Sequence, residues 1–327
     1  MFNSLKNSKI MKTVKTAYRY FRYGKIKAFA KPRFFLNNSK SSNTVCFILA
    51  GYKHFTWAVV FKRIKKFCPA NIDVCIVSSG VYSGELKSYA EKYDWSYISM
   101  KRNCVTLALN SAINLFPSAE KIFKLDEDIF VTEGFFETLP AIHEKAKINY
   151  YPAFTAPLIP INGYGYRRIL ERLNLVEEYT KRFEYPIVSA GSHMQIENNP
   201  EVAMFFWNKD GIVPKIDELN SIIKSDNYKN GRGGEYTVCP IRFSIGAIYF
   251  EKSMLEKYGW FPVTKGTGMG LDEEFICNLA TTYSTAIIVA ENQVLGHLSF
   301  GKQNKPMENY FLQHKDLFNI QAAGEME

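Results

Sequence analysis

From residue 44 to residue 126 the chain switches regularly between two hydrophobic periods, and this alternation constrains the fold more than any other feature. Short apolar runs rich in β-branched residues occupy 44–50 (TVCFILA), 73–79 (DVCIVSS), 95–100 (WSYISM) and 121–126 (KIFKLD). Between them, 55–67, 83–93 and 105–116 place apolar residues at helical spacing. Strands alternating with helices predict an α/β fold: a mostly parallel central sheet with helices on both faces. In such a sheet, ligands bind beyond the carboxyl ends of the strands. Three of those ends carry small or polar residues: Ala50-Gly51-Tyr52, Ser78-Ser79-Gly80 and Asp126-Glu127-Asp128.

The last of these is the most informative. In KIFKLDEDIFV (121–131) three acids interrupt an apolar run. Carboxylates in such a setting are costly to bury unless something neutralises them. Asp126 and Asp128 stand two apart, so an extended chain turns both to one side. Mg²⁺ and Mn²⁺ favour oxygen ligands of this kind, and Mg²⁺ usually takes one or two carboxylates plus substrate phosphates. The alternative reading is a strand closed by an acidic turn.

Beyond residue 150 the alternation loosens. Residues 151–166 read as a long loop rich in Pro, Gly and Tyr, and 167–184 as helical. GRGGE (231–235) reads as a mobile basic loop. RFSIGAIYF (242–250) is apolar, and its Gly246-Ala247 pair lets another group approach the backbone closely. A short helix (253–261) and a Gly-rich turn leading into an acidic helix start (265–280) follow. A strand (285–290) then precedes NQVLGHLSFGKQNKP (292–306). There is no internal repeat.

Charge is divided unevenly. The net charge is +9, yet the first acid in the chain is Asp73, and 16 Lys or Arg residues precede it. Residues 9–23 (KIMKTVKTAYRYFRY) fit a helix with Lys9, Lys12, Lys15, Arg19 and Arg22 on one side. Ile10, Met11, Val14, Tyr18 and Phe21 share the other side, the pattern of a helix lying in a membrane interface. Packing on the protein body with a solvated basic face is the alternative. No nucleic-acid motif accompanies the charge, so a nucleic-acid partner is not expected. Residues 37–43 (NNSKSSN) read as a linker.

The six cysteines form no CxxC pair and read as buried, reduced thiols of a cytosolic protein. No apolar run approaches the ~20 residues of a membrane span, and no signal-peptide pattern is present.

With strand–helix alternation leading to an Asp-x-Asp about 80 residues after the first strand, the chain resembles the GT-A nucleotide-sugar glycosyltransferases, family 2 most of all. The resemblance covers roughly residues 44–306. It implies a nucleotide-sugar-binding half over 44–150 and an acceptor-binding and catalytic half over 151–327, with 1–43 as a basic segment and linker. It implies Mn²⁺ or Mg²⁺ held by Asp126 and Asp128, with His297 as third ligand. It assigns Ala50, Gly51, Tyr52, Ser79, Asn103, Asp126 and Glu127 to the nucleotide sugar. Where family members often carry an Asp that reads uracil, this chain has Ser78-Ser79. In inverting members an Asp in a Gly-x-Asp setting is the general base, and Asp272 after Gly270-Leu271 matches it, with Glu273 next; helix capping by Asp272 is the alternative. A retaining branch carries a His…Gly…Lys-Pro signature; His297, Gly301, Lys305 and Pro306 follow it at longer spacing. Lys302 or Lys305 then contacts the diphosphate.

The expected protein is therefore a metal-dependent glycosyltransferase, inverting, or retaining as the alternative. It would act on a glycan or glycolipid acceptor at the cytoplasmic face of a membrane. A sugar nucleotidyltransferase would need a Gly-rich basic signature that LAGYKHF lacks. A non-catalytic membrane scaffold would not need Asp126, Asp128 and Asp272.

Overall fold

A computed structural model describes residues 27–161, 163–185, 196, 198–225 and 234–320. The basic stretch 9–23 and residues 231–233 of the GRGGE loop lie outside the described residues. The strands are β1 (Phe34–Leu36), β2 (Thr44–Leu49), β3 (Asp73–Ser79), β4 (Ser96–Met100), β5 (Lys121–Asp126), β6 (Ile129–Phe130), β7 (Pro152–Leu158), β8 (Tyr236–Cys239), β9 (Ala247–Glu251), β10 (Ala286–Val294) and β11 (Gly296–His297). Nine of them form one sheet in the order β1-β4-β3-β2-β5-β9-β7-β10-β8, and β6 pairs with β11 apart from it.

Strands β2, β3, β4 and β5 are mutually parallel. Strand β9 runs antiparallel to both β5 and β7, and β10 is parallel to β7. Six strands thus run one way, and β1, β8 and β9 oppose them. The mostly parallel sheet expected from the alternation is present.

The helices are α1 (His54–Phe67), α2 (Gly84–Tyr93), α3 (Val105–Leu115), α4 (Phe135–Ala146), α5 (Gly163–Arg172), α6 (Val176–Thr180), α7 (Pro200–Phe206), α8 (Ile216–Ser225), α9 (Lys252–Tyr258), α10 (Leu271–Thr282) and α11 (Asn304–Gln313). The first three lie within a residue of the sequence expectation. Ser83 caps α2, its Oγ accepting from the Leu86 amide at 3.2 Å, which fixes where that helix starts. Both sheet faces are covered. Phe123 of β5 packs against Phe135 and Phe136 of α4 at ring distances of 5.4 and 5.0 Å. Lys124, the next residue, turns to the opposite face. On that face Phe47 of β2 meets Phe116 at the end of α3 at 5.3 Å, and α10 packs beside α3.

Three local expectations change. Residues 152–158 (PAFTAPL) are a buried strand and not a loop. Pro157 supplies no amide to a ladder, so its presence reads as a breaker. Yet Ala153 to Leu158 are all buried, and pairing with β10 sustains the strand. The 37–43 segment is a tied turn. The Asp73 carboxylate accepts from Ser39 Oγ (2.6 Å), the Lys40 amide (2.9 Å) and the Ser42 amide (3.1 Å). Just before it, β1 adds an antiparallel edge to β4, pairing Phe34 with Ser99 and Leu36 with Tyr97.

All six cysteines are free; Cys68 is half-buried and the other five are buried. Among the described residues no helix is long and apolar enough to cross a membrane.

His143 of α4 is buried, with Nδ1 2.9 Å from Thr155 Oγ1 and its ring edge-on to Tyr249. Burial, reinforced by Lys147, lowers its pKa to about 4 from 6.5. The folded state therefore disfavours the imidazolium, and the unfolded chain takes up the proton first. Stability contributed by neutral His143 is complete above pH 6.5 and is lost as pH falls toward 4, by about 3 kcal/mol. Urea unfolding at pH 7 and pH 4.5 is expected to show this loss in the wild type, and a smaller one in His143→Gln.

Candidate active site at the carboxyl edge of the sheet

The carboxyl ends of β2, β3 and β5 open onto a cleft of about 820 Å³. Its floor is formed where β5 stops. Asp126, the last residue of β5, donates its amide to the Gly246 carbonyl at 2.8 Å. Lys124, two residues earlier and so on the same face, places Nζ 2.6 Å from Asp126 Oδ1 and 2.9 Å from the Ile245 carbonyl. Its side chain is 3% exposed. Burial lowers the pKa of Lys124, but Asp126 and Asp272 outweigh this and raise it above the usual lysine value. Burial raises that of Asp126 against the pull of Lys124.

The chain then turns through Glu127 and Asp128 into β6. This two-residue strand pairs antiparallel with β11, matching Ile129 with His297 and Phe130 with Gly296. The ribbon brings His297 beside Asp128, with Nε2 3.8 Å from Oδ1. His297 Nδ1 is buried without a hydrogen-bond partner. Gly246 makes room for the ring: a Cβ there would lie 3.0 Å from His297 Cδ2. The close approach expected at Gly246-Ala247 is thus made by the imidazole. Asp128 is itself held by Lys53, whose Nζ is 2.5 Å from Oδ2 and 3.0 Å from the Ser299 carbonyl. Burial raises the pKa of Asp128, but His297 and Lys53 outweigh it and leave it below the ordinary carboxylate value. Burial lowers that of His297 despite Asp128.

Glu127 points elsewhere. Its carboxylate accepts from the Gly51 amide (2.9 Å), the Tyr52 amide (3.0 Å) and Trp57 Nε1 (2.6 Å). It fixes the loop after β2 through these protein donors, and it also lines the cleft. Ala50, Tyr52, Ser79 and Asn103 do line the cleft. The Tyr52 hydroxyl donates to the Ser79 carbonyl at 2.8 Å, and the residue stays 58% exposed at the cleft mouth. Ser79 Oγ accepts from the Cys104 amide at 2.7 Å. Gly80 has φ of +80°, and a Cβ there would meet Asn103 Cβ at 2.5 Å. The absence of a side chain at Gly80 lets Asn103 lie against the end of β3.

On the far wall, Gly270 with φ of +78° precedes α10. Asp272 is therefore inside the first turn, and Gly270, not Asp272, occupies the N-cap position. It is buried and lines the cleft. Arg242 Nε is 2.6 Å from Glu273 Oε1. Lys302 and Lys305 are absent from the cleft lining. The turn at 301–303 buries Gln303, which bonds the Ile196 carbonyl, and leaves both lysines exposed. Lys305 pairs with Glu308 at 2.9 Å, while Gly301 and Asn304 face the cleft instead.

Lys53, Lys124 and Arg242 are the site residues that sequence reasoning did not single out. Lys124 had a signal, a charge flanked by Phe123 and Leu125 within the strand. Lys53 and Arg242 had none, because their partners are remote in sequence.

The donors of Asp126, Asp128 and His297, two carboxylates and an imidazole, suit Mn²⁺ or Mg²⁺. Among the described residues no three His, Cys, Asp or Glu side chains close around one metal position. Lys124 and Lys53 each hold one of the carboxylates. An incomplete protein set still fits a cation that takes its remaining oxygens from substrate phosphates.

No family model and no curated protein matches the chain. Among solved structures it is similar to a mannosyltransferase from Pyrobaculum calidifontis in complex with GDP-Man and Mn²⁺. Identity is 13% and the TM-score 0.43, over 87% of this chain and 64% of that one. It is also similar to GalNAc-T7 with UDP, GalNAc and Mn²⁺, with 13% identity and a TM-score of 0.44, over 81% of this chain and 45% of that one. The chain thus spans less than two thirds of either solved protein. At these scores, function has to be argued from the chain's own residues.

Glu127→Ala is expected to leave two amides and an indole N–H without an acceptor, at a cost of about 3 kcal/mol. Glu127→Gln, which keeps one acceptor oxygen, is expected to cost about half. Urea unfolding followed by Trp57 fluorescence measures both.

Proposed function

We propose that the cleft transfers a sugar from a nucleoside-diphosphate donor to a hydroxyl acceptor, as a metal-dependent, inverting glycosyltransferase of the GT-A type. One observation carries the reading: Asp126, Asp128, His297 and Asp272 line a single cleft at the carboxyl edge of a mostly parallel sheet. Asp128 and His297, with Asp126, would hold Mn²⁺ or Mg²⁺, which when bound offsets negative charge on the departing diphosphate. Ala50, Tyr52, Ser79 and Asn103 form the wall for the nucleoside, with the exposed Tyr52 ring as its platform. Asp272 accepts the proton of the acceptor hydroxyl as that oxygen attacks the anomeric carbon. Its place in the cleft lining beside the acids of β5 supports this role. Lys305 turns away from the cleft, which weighs against the retaining branch.

The acceptor we propose is a lipid-linked or cell-surface glycan, such as lipopolysaccharide or capsule. The basic segment 1–36 would then lie on anionic lipid at the cytoplasmic face, an assignment resting on its sequence alone.

Purified enzyme with a panel of nucleotide sugars is expected to hydrolyse or transfer one of them with Mn²⁺ and to stop in EDTA. Asp126→Ala and Asp128→Ala should abolish turnover, and Asp126→Ala should also cost stability by leaving the buried Lys124 ammonium without its partner; full activity in EDTA would remove the metal from the reading. Asp272→Asn should bind donor normally and lose 10²–10⁴-fold in turnover, the usual contribution of a positioned base. Transfer rates at saturating donor and acceptor, with the anomeric configuration of the product, check it.

A further inference from the structure

Lys53 connects separate parts of the site. It follows the Gly51-Tyr52 loop that Glu127 fixes. Its ammonium binds Asp128 at 2.5 Å and the Ser299 carbonyl at 3.0 Å, two residues beyond His297. Its side chain is 25% exposed and lines the cleft, whereas the Asp128 side chain is 3% exposed. A buried carboxylate without a counter-charge is costly, and Lys53 supplies one to Asp128, as a divalent cation also could. Lys124 cannot be exchanged in the same way. It is 3% exposed and also anchored to the Ile245 carbonyl, on the sheet floor below.

We infer that Lys53 is a mobile stand-in for the divalent cation, yielding Asp128 when the cation arrives and then binding the donor diphosphate. The inference rests on the nucleotide-sugar reading above. Three features of the site support it. A lysine ammonium is a compact charge on a flexible four-carbon stem, so it can change partner without moving backbone. The bond to Ser299 leaves one of its attachments intact while Asp128 is exchanged. Finally, a cation entering alone must displace Lys53 and strand an ammonium in the cleft, whereas a cation entering with a diphosphate brings the ammonium a new anionic partner. Lys53 is therefore a binding residue in one state and a competitor in the other. Its two effects on affinity have opposite signs.

The test is isothermal titration of the full chain with MnCl₂ alone, and with UDP or GDP at fixed Mn²⁺. For Lys53→Met, Mn²⁺ alone should bind about 5- to 50-fold more tightly than to the wild type, because its competitor is gone. The nucleoside diphosphate should bind about 5- to 50-fold more weakly. Lys53→Arg should stay near the wild type for Mn²⁺. Lys53→Gln keeps a donor for the Ser299 carbonyl without the charge, and is expected to follow the methionine variant should that one fail to fold. Unchanged or weaker Mn²⁺ binding in the uncharged variants, or unchanged nucleotide binding, would overturn the inference while leaving the glycosyltransferase reading intact. A wild type that binds neither Mn²⁺ nor nucleoside diphosphate would overturn both.

Discussion

Three successive carboxylates within an apolar stretch must each find compensation, and the site follows from how they do. Asp126 is matched by Lys124 from its own strand. Glu127 is matched by backbone amides and an indole across the β2–α1 junction. Asp128 is matched by Lys53, with His297 alongside. The central acid is turned inward and ties two elements together. All three line the cleft, and only the central one is held by amides and the indole. The same tripeptide thus builds the wall and arms the floor, because a turn at the end of β5 points successive side chains in different directions.

The electrostatics of the cleft follow from that division. Asp126, Asp128, Asp272 and Glu273 line it together with Lys53, Lys124 and Arg242. Lys124 feels both Asp126 and Asp272, so one buried ammonium lies within the fields of both acidic groups. A site balanced this closely can accept a divalent cation and a diphosphate together more readily than either alone. This fits a reaction in which charge builds up on a leaving phosphate, since preorganised charges assist most where charge develops.

Much of this was legible in the chain, and the limits have physical causes. Strands β2 to β5 and helices α1 to α3 could be read because each carries its own periodicity, and short connections leave little ambiguity. Asp126 and Asp128 stood out because charge in an apolar run demands a reason. The pairing of Asp128 with His297 was suggested only by resemblance; the β6–β11 ribbon that brings them together is two residues long and leaves no periodic trace. Strand β7 was hidden by Pro157, and β1 by its three-residue length. The fate of Glu127 was not readable, because sequence cannot say which of three adjacent acids turns inward. Lys302 and Lys305 were tied to the diphosphate only by resemblance, and their sequence does not show that the turn at 301–303 leaves both exposed and outside the cleft lining.

The β6–β11 ribbon joins positions about half the chain apart. Closing so long a loop adds only modestly to the equilibrium cost, since that cost grows with the logarithm of loop length. The order of events is affected more strongly, because long-range pairings form late. During synthesis the β2–β5 unit emerges well before residue 297, with Asp126 and Asp128 already in place and no imidazole to join them. A nascent chain therefore presents Asp126 and Asp128 without their imidazole neighbour until residue 297 has emerged.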